Sequence, residues 1–494
     1  MTRRARGSHA HRSLWHLLPE LTTLLRAARP RPRDLAALLP APAGRPRQPA
    51  GHALSLAGVG RWAARRAGHG AVLIDADGVL TGTALADLVS TRAAALSGAG
   101  AILLQGRDDR CLVATLLAAG AAGVDVVLVS PRAGAAELAA ARARVDQLRR
   151  AGAQPFGAAV AATSSGRPGL VRWRSRPRPA SPAPAVVLHS SGTTGRPHPR
   201  VQGGVGVAQL PTVVSLAAAT GVRRGEPMLL AAPLAHGHGL SALAAALTLG
   251  APVLLDASHR SDRGLGLMHE HRARTWVGLP TQLADLLAAA EEHPGAAGTL
   301  RTLRRIVTGS APLPAELVSR VGQAAGEVLV NYYGSTEAGT ATIARPVDLA
   351  AAPATVGQPA TGVTVQIRDR AGRLVPAGQV GQVVLRSRWR ASGEPPWVHT
   401  QDRGRLDGDG RLVLAGRTDD AVLVGGHVVS VAAVTAWLRS RPGVQQVQVH
   451  AIGHERLGSV LQARVHTTGS LATLHAEARA ALGDAAAPRR LLPW

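Results

Sequence analysis

Beyond the first 70 residues, short apolar runs alternate with segments rich in alanine and leucine. The runs Ala71–Ile74, Ala101–Leu104 and Val124–Val129 predict buried strands, and Leu112–Ala121 predicts a helix between two of them. Strands that alternate with helices in this way indicate layered α/β structure with parallel strands. After Val356 the pattern changes to short strands separated by glycine turns, which predicts a barrel-like β section.

These patterns predict an α/β fold with three parts along the chain. Residues 1–50 form a basic N-terminal extension. Residues 51–415 form a large N-terminal domain of layered α/β subdomains plus the β-barrel-like section, and residues 416–494 form a small α+β C-terminal domain. A linker rich in proline and arginine, residues 172–184, interrupts the large domain. In the extension, Leu14–Arg26 is amphipathic, so we expect a helix docked on the large domain, with contact to a membrane surface as the alternative.

The charge of the sequence is strongly positive. Its 494 residues include 56 lysines plus arginines against 31 acidic residues, which gives a formal net charge of +25. All 56 are arginines, and residues with AT-rich codons are scarce, so the bias of a GC-rich genome explains the composition. A positive field favours nucleic acids and anionic membranes. Single-stranded nucleic acid also needs stacking platforms, and only 2% of the residues are aromatic. We therefore expect no nucleic-acid partner.

The sequence also bears on the cellular location. Cys111 is the only cysteine, which excludes an internal disulfide framework and a zinc site built from clustered cysteines. No uninterrupted apolar segment follows the first arginines, so no signal peptide is predicted. The apolar stretch Met228–Leu255 is interrupted by Pro233, Pro252 and several glycines, which predicts a buried strand–loop–helix–strand unit rather than a membrane span. We expect a cytoplasmic protein, with peripheral contact at the inner membrane left open.

The first motif that indicates chemistry is Ser190–Pro197, which reads S-S-G-T-T-G-R-P and follows a predicted buried strand, Ala185–Leu188. Glycines let the backbone approach a phosphate closely, and turn N–H groups and hydroxyls donate to its oxygens. The pattern does not match the Walker A loop. A turn rich in serine and threonine without a ligand is the alternative, but four hydroxyls interleaved with two glycines after a strand favour phosphate binding.

The second motif gathers residues that are otherwise rare in this chain. The only asparagine and both tyrosines stand together in Asn331–Tyr333, and Gly334–Glu337 follow directly. A tyrosine ring can stack on a purine, and a carboxylate beside a phosphate site can hold Mg²⁺. A strand end with buried aromatic residues is an equally good explanation of this motif alone.

The third motif combines Asp402, the segment Asp407–Gly410 and the run Gly416–Asp420. Asp407–Gly410 predicts a hairpin turn. Asp402 could accept hydrogen bonds from ribose hydroxyls, and Arg417 could bind phosphate or ribose. Taken alone, the two charges are better explained as solvated turn residues.

Taken in this order, the three motifs resemble those of the adenylate-forming, or AMP-binding, superfamily, which includes acyl-CoA synthetases, luciferases and the adenylation domains of peptide synthetases. The first matches the family's phosphate loop, the second its adenine and magnesium motif, and the third its hinge motif. Further matches are Pro233–Gly237, Gly309–Leu313 and Thr355–Pro359. The resemblance extends from Leu73 to the C-terminus, and within the superfamily it is strongest to bacterial fatty-acyl-CoA synthetases.

The resemblance implies an acid–thiol ligase that uses ATP and Mg²⁺, with CoA as co-substrate. A carboxylic acid, expected to be a fatty acid, attacks the α-phosphorus of ATP and gives acyl-AMP and pyrophosphate. A thiol of CoA or of a carrier protein then displaces AMP. The substrates supply both nucleophiles, so no role is assigned to Cys111.

The resemblance also implies which residues bind the nucleotide. Tyr333 would stack on adenine, Asp402 would take the ribose hydroxyls with help from Arg417, and Asp419 would be the hinge. The other predicted nucleotide-binding residues lie in two loops, the phosphate loop and one that lines the adenine site: Ser190, Ser191, Gly192, Thr193, Thr194, Gly195, and Gly309, Ser310, Ala311.

The predicted catalytic residues are His236, Thr336, Glu337 and Arg417. By the resemblance, Thr336 would contact the nucleotide at the α-phosphate, Glu337 would bind the metal, and His236 would lie near the substrate carboxylate. Trp276–Pro280 would line the acyl site, with packing as an equally good explanation.

The chain departs from the family pattern at three places, one of which is Gly425–Val428, where the family usually has a polar or basic residue at the position of Val428. His198 and Pro199 stand where the phosphate loop of the family usually continues with lysine and glycine. Ala487–Trp494 stand where the family normally has a loop that carries a lysine. The sequence contains no lysine at all. These departures predict a ligase with impaired activity, and the alternative is a non-catalytic relative that binds a nucleotide or an acyl group.

Overall fold

The computed structural model describes residues 56–131, 133, 135–150, 160–161, 185–190, 198–202, 210–335, 338–387, 395–417 and 421–494. The predicted N-terminal extension, including Leu14–Arg26, and the linker 172–184 lie outside the described residues. The strands form three sheets.

The first sheet has the strand order β5-β3-β4-β6-β7 and is parallel except for its last pair. Its strands are short and apolar, as expected for a sheet covered by helices. They are β3 (Ala101–Gln105), β4 (Asp125–Val129), β5 (Val160–Ala161), β6 (Val186–Ser190) and β7 (His198–Gln202).

The second sheet has thirteen strands in the order β15-β16-β17-β18-β14-β13-β12-β11-β10-β8-β9-β1-β2. The strands from β12 to β1 along this path are parallel, and the others pair antiparallel. The strands are β1 (Ala71–Asp75), β2 (Gly78–Thr81), β8 (Met228–Leu230), β9 (Val253–Leu255), β10 (Thr275–Gly278), β11 (Arg305–Gly309), β12 (Leu329–Ser335), β13 (Gly339–Ala344), β14 (Thr355–Pro359), β15 (Thr364–Arg368), β16 (Gly381–Arg386), β17 (Val398–Leu406) and β18 (Leu412–Arg417).

The third sheet lies in the C-terminal part and begins at Ala421. Its order is β20-β19-β22-β21, and β23 adds to β22 in parallel. The strands are β19 (Ala421–Val424), β20 (His427–Ser430), β21 (Val444–His454), β22 (Gly458–Thr467) and β23 (Arg490–Pro493).

The helices of the described residues connect these strands. They are α1 (Leu56–Ala67), α2 (Gly82–Leu96), α3 (Arg110–Ala122), α4 (Ala135–Arg150), α5 (Leu210–Thr220), α6 (Gly237–Leu249), α7 (Ser261–Glu270), α8 (Pro280–Glu292), α9 (Pro294–Arg301), α10 (Ala315–Ala325), α11 (Pro346–Ala351), α12 (Val431–Arg439) and α13 (Leu471–Leu482).

Local sequence explains where several of these helices begin and end. Asp109 caps α3 by accepting a hydrogen bond from the backbone N–H of Leu112 at 2.9 Å. Gly250 ends α6 with a φ of 76°, a left-handed conformation that glycine adopts without strain. Pro280 opens α8, a position at which proline costs no backbone hydrogen bond.

Side chains alternate between the two faces of the large sheet, and this alternation decides what each strand end presents to the site. On β11, Val307 packs in the core on the α6 side, whereas Ile306 packs on the α8 and α10 side. On β12, Val330 and Tyr332 likewise face the α6 side, and Leu329 faces the other.

The observed architecture confirms the predicted fold class, which is α/β with a large mixed sheet and a smaller C-terminal domain. The apolar stretch Met228–Leu255 is strand, loop, helix and strand, as predicted, and its strands β8 and β9 are buried. Within the described residues, no helix has the length and apolar character needed to cross a membrane.

Candidate active site

The functional residues predicted from the sequence meet at the carboxyl ends of the parallel strands. The loops after β8, β10 and β11 lead to His236, Leu279 and Ser310, and all three lie at this edge. The first sheet reaches the same place, because a Cβ built on Gly237 would lie 3.9 Å from the Leu188 side chain of β6. In open α/β sheets the carboxyl ends of the strands form the usual ligand-binding crevice.

Tyr333, Asp402 and Arg417 form one hydrogen-bonded unit. The Tyr333 hydroxyl donates to Asp402 Oδ2 at 2.6 Å, and Arg417 donates to Asp402 Oδ1 at 3.0 Å. Asp402 and Arg417 are paired residues of β17 and β18, whereas Tyr333 comes from β12. Burial, and then the charge of Asp402, raise the pKa of Tyr333 well above its usual value. The phenol therefore stays protonated and remains a donor to the carboxylate.

Gly309–Ala311, the predicted adenine loop, begin where β11 ends beside β12. Gly309 pairs with Tyr332, and a Cβ on Gly309 would lie 2.6 Å from the Tyr332 carbonyl oxygen, so only glycine fits there. Ser310 has a φ of 62°, a left-handed conformation that costs energy for a residue with a side chain. Backbone strain of this kind is concentrated at functional sites.

His236 lies at the start of α6 and contacts the C-terminal part of the chain. Its ring centroid is 4.9 Å from that of His427, with the planes at 76°. His427 follows the turn Gly425–Gly426 between β19 and β20. A Cβ on Gly426 would lie 3.4 Å from the Leu279 side chain and 3.6 Å from the Ser310 carbonyl oxygen. The turn of this hairpin therefore packs directly on the strand ends.

An ion pair also joins the C-terminal sheet to α8. Arg456, between β21 and β22, lies 3.0 Å from Asp285 of α8, and both side chains are partly exposed. An exposed ion pair contributes at most about 1 kcal/mol. It therefore orients the C-terminal sheet against α8 more than it stabilises the fold.

The loop that leads to His236 is held from behind by Asp108. Its Oδ2 accepts a hydrogen bond from the backbone N–H of Leu234 at 3.3 Å, and His259 Nε2 lies 3.8 Å from the same oxygen. Burial raises the pKa of Asp108 to about 7. This buried carboxyl group fixes the loop at a point two residues before His236.

The histidines of the site are neutral at neutral pH. Burial, and then the neighbouring His427, lower the pKa of His236 to about 4. Burial also lowers the pKa of His427. Burial, and then His236, lower the pKa of His238 to about 3. The site therefore offers imidazoles that donate or accept hydrogen bonds, and no imidazolium charge.

These lowered pKa values predict that the protein becomes less stable in mild acid. Between pH 6.5 and about 4 the unfolded chain binds protons at His236 and His238 that the folded chain excludes. The folded chain binds one extra proton at Asp108 in the same range, which offsets part of this effect, and the free energy of unfolding still falls as the pH falls. The stabilisation is fully present above pH 6.5, and each unit of pKa difference corresponds to about 1.4 kcal/mol. Denaturant titrations at pH 7.5, 6 and 5 measure this slope.

Replacing His238 with phenylalanine is expected to flatten that slope, because it removes one of the buried imidazoles. The matched control is His450→Phe, which replaces an exposed histidine of β21 and should leave the slope as it is. An equal pH slope in the wild type and the His238→Phe variant would contradict the assignment.

Several predicted residues cannot be placed in this geometry. Ser191, Gly192, Thr193, Thr194 and Gly195 lie outside the described residues, as do Thr336, Glu337 and Asp419. Ser190 ends β6, where it pairs with His198. The roles predicted for all of these residues stay predictions. The described residues contain no group of three His, Cys, Asp or Glu side chains that could hold a metal ion.

The residue-by-residue predictions missed part of the site and included one core residue. His238, Tyr332 and His427 were given no role, although His238 stands two positions after His236 and Tyr332 stands beside Tyr333. Trp276, by contrast, is 1% exposed and packs in the core on the α8 and α10 side. Packing is therefore the better explanation for Trp276.

Comparison with known proteins places the chain in a family. The family described as AMP-binding enzyme matches residues 143–393, slightly more than half of the chain. The chain belongs to the AMP-binding enzyme family. This finding confirms the superfamily that the three motifs resemble.

Individual relatives agree with this assignment. A feruloyl-CoA synthase from Amycolatopsis sp. is 27% identical over 440 residues, which cover 83% of this chain and 88% of that protein. A 2-succinylbenzoate–CoA ligase from Bacillus pumilus is 27% identical over 293 residues, which cover 56% of this chain and only 57% of that protein. The amide bond synthetase McbA from Marinactinospora thermotolerans has a similar structure, with 26% identity, a TM-score of 0.73, and coverage of 88% of this chain and 95% of that chain. The predicted class of enzyme, a ligase of the acyl-CoA synthetase type, is confirmed.

Proposed function

We propose that this enzyme activates a carboxylic acid with ATP and transfers the acyl group to the thiol of CoA. In the first step a carboxylate oxygen forms a bond to the α-phosphorus, and the bond to the β-phosphate oxygen breaks to release pyrophosphate. In the second step the thiol sulfur forms a bond to the acyl carbon, loses its proton, and AMP leaves. The observation that carries the proposal is the Tyr333–Asp402–Arg417 unit beside the predicted adenine loop.

The first step requires that the nucleotide be held in line with the acid. Asp402 is held in place by two donors, and a carboxylate can accept about four hydrogen bonds, so it suits a pair of ribose hydroxyls. Tyr333 and Gly309–Ala311 would flank the adenine, and Ser190–Gly195 would bind the β- and γ-phosphates. Positioning of this kind can contribute a large part of the rate enhancement, because it replaces a bimolecular encounter with a preassembled complex.

Charge develops on the α-phosphate during the first step and has to be neutralised. Thr336 and Arg417 are the proposed donors from this chain, and Glu337 is the proposed ligand for Mg²⁺. When bound, Mg²⁺ would supply Lewis-acid stabilisation of the phosphate oxygens. Arg417 already donates to Asp402, so it would link the ribose site to the phosphate site.

The second step requires that the thiol and the acyl carbonyl be oriented towards each other. His236 and His427 stand in contact where the C-terminal hairpin packs on the strand ends, and both are neutral. A neutral imidazole can orient the acyl carbonyl or the thiol without placing a fixed charge beside the adenylate. This contact supports the proposal that the arrangement in this structure serves the transfer step.

The identity of the acid and of the acceptor is the finer part of the proposal. The sequence predicted a fatty acid, and this stays a proposal. Two of the three proteins named above are CoA ligases or synthases, for succinylbenzoyl and feruloyl groups, which supports CoA and extends the candidates to aromatic acids; the third is an amide bond synthetase. A carrier-protein thiol is the alternative acceptor. Peripheral contact with a membrane also stays a proposal.

The experiment is a mass-spectrometric assay with MgATP and a panel of aliphatic and aromatic acids, with and without CoA. We expect acyl-AMP without CoA and acyl-CoA with it, and we expect Glu337→Ala to lose both. Pyrophosphate release that does not depend on any acid, or ATP binding with no product, would contradict the proposal. The second result would favour a non-catalytic nucleotide-binding protein.

A further inference from the structure

We propose that the acid carries a neutral hydroxyl group on its tail, and that His238 and Tyr332 bind this hydroxyl and so select the substrate. The inference rests on the proposed function, because it takes the acid to enter beside His236. It names a substrate class, hydroxylated acids, and two specificity-determining residues.

Both side chains hold buried polar atoms without a partner. His238 is 4% exposed, and neither of its ring nitrogens has a hydrogen-bond partner within the described part of the chain. The Tyr332 hydroxyl is buried and unpaired in the same sense. The two ring centroids are 4.8 Å apart, with the planes at 69°. An unpaired buried polar group is costly, so a ligand hydroxyl that pairs the Tyr332 hydroxyl and one His238 nitrogen would recover part of that cost.

The pair lies between the proposed acid entrance and the predicted adenine loop. His238 is the second residue after His236, and the exposed Gly237 separates them on the outer side. A Cβ on Gly309 would lie 3.1 Å from the Tyr332 ring, so the ring lies against the start of the adenine loop. An acid whose carboxylate lies near both His236 and the nucleotide would therefore have its tail within reach of the pair.

The chemistry of the pair favours a hydroxyl over other tail groups. A neutral imidazole has one donor and one acceptor, and a phenol can both donate and accept. A substrate hydroxyl can accept from one side chain and donate to the other. A carboxylate on the tail would find no positive charge on His238, because burial keeps this imidazole neutral, and a buried unpaired charge is far more costly than a neutral group.

A plain alkyl tail fits this environment less well. Leu240, Leu243 and Val330 of the same core would accept it, but both polar groups would stay unpaired. Sites with buried hydrogen-bonding groups discriminate strongly against analogues that lack the partner group. The inference therefore favours hydroxylated acids over the simple fatty acids that the sequence predicted.

The test uses acyl-sulfamoyl adenosines, which mimic the acyl-adenylate and do not react. Each probe pair shares one tail and differs only in a terminal hydroxyl or methyl group, with aryl and alkyl tails of three lengths each. Isothermal titration calorimetry measures the affinities. We expect the hydroxyl probe of at least one pair to bind about tenfold tighter or better. Tyr332→Phe and His238→Leu are each expected to reduce this preference several-fold.

Ser241→Ala is the matched control, because Ser241 lies on the same helix and bonds only the backbone carbonyl of His238. It should keep the preference. Equal affinity within every pair, or a preference that survives both Tyr332→Phe and His238→Leu, would overturn the inference while leaving an adenylate site in place. Absence of binding by every probe would overturn the proposed function and the inference together.

Discussion

Replacing Asp402 with alanine is expected to lower kcat/KM for acyl-adenylate formation by about a hundredfold. The substitution removes the proposed acceptor of the ribose hydroxyls, and it leaves Arg417 and the Tyr333 hydroxyl without the carboxylate to which both donate. A hydrogen bond to a charged group contributes about 1.5–3 kcal/mol. Losing the ribose contacts, together with the fixed positions of Arg417 and Tyr333, therefore corresponds to about a hundredfold in kcat/KM. Acid-dependent pyrophosphate release, measured over a range of ATP concentrations, gives the effect.

The ATP dependence distinguishes a ribose contact from a general loss of structure. The effect should appear as a raised KM for ATP as well as a lower kcat, and Asp402→Asn should retain part of the activity because the amide oxygen can still accept. Asp409→Ala is the matched control, since this exposed acid lies on the hairpin between the same two strands. If Asp402→Ala and Asp409→Ala have the same KM for ATP, Asp402 does not bind the ribose.

A second substitution separates the two proposed roles of Tyr333. Tyr333→Phe removes one donor to Asp402 but keeps the ring that is proposed to stack on adenine. The effect of this variant on activity should therefore be weaker than that of Asp402→Ala. The comparison separates the role of the hydroxyl as a support for the carboxylate from the role of the ring.

The sequence predicted the layered α/β region because its parallel strands are buried on both faces. Such strands are short continuous apolar runs, and Ala101–Leu104 and Val124–Val129 correspond to β3 and β4 within one residue at each end. Met228–Leu255 could be assigned because Pro233 and Pro252 mark its loops. Local patterns of this kind depend on neighbouring residues and need no knowledge of the tertiary fold.

The contacts of the site depend on topology and could not be predicted in the same way. Tyr333 and Asp402 are 69 residues apart, and they meet because β13 and β14 carry the sheet from β12 to the pair β17–β18. The motifs identified the residues, but the hydrogen bond between them follows only from the strand order. The same holds for His427, whose contact with His236 requires the C-terminal hairpin to pack on the carboxyl ends of the parallel strands.

Polarity inside a core is a second limit on sequence reasoning. His238 and Tyr332 stand in mostly apolar segments, and each alone is compatible with a satisfied core residue. Only the structure shows that their rings are in contact and that the polar atoms of both lack a partner within the described residues. Trp276 is the opposite case, because the family resemblance predicted a role in the acyl site, with packing as the alternative, whereas its ring packs in the core.

Replacing Gly426 with leucine is expected to reduce thioester formation by about a hundredfold while acyl-AMP still forms. Gly426 has a φ of 89°, and a Cβ there would already touch the Leu279 side chain and approach the Ser310 carbonyl oxygen. A leucine side chain has no room between the hairpin and the strand ends. The hairpin, and His427 with it, would be displaced, and a shift of about 1 Å at a reacting centre can cost about a hundredfold in rate.

The measurement follows acyl-AMP and acyl-CoA separately in single-turnover reactions, so that the two steps are not confused. Gly458→Leu is the matched control, because Gly458 has a φ of 75° in the same small sheet and meets only the Leu423 carbonyl oxygen at 3.9 Å. It carries the same backbone cost without crowding the strand ends. We expect acyl-AMP to accumulate only in the Gly426→Leu variant. If both variants transfer the acyl group at the same rate, or if Gly426→Leu loses both steps equally, the packing of this hairpin on the strand ends does not serve the transfer step.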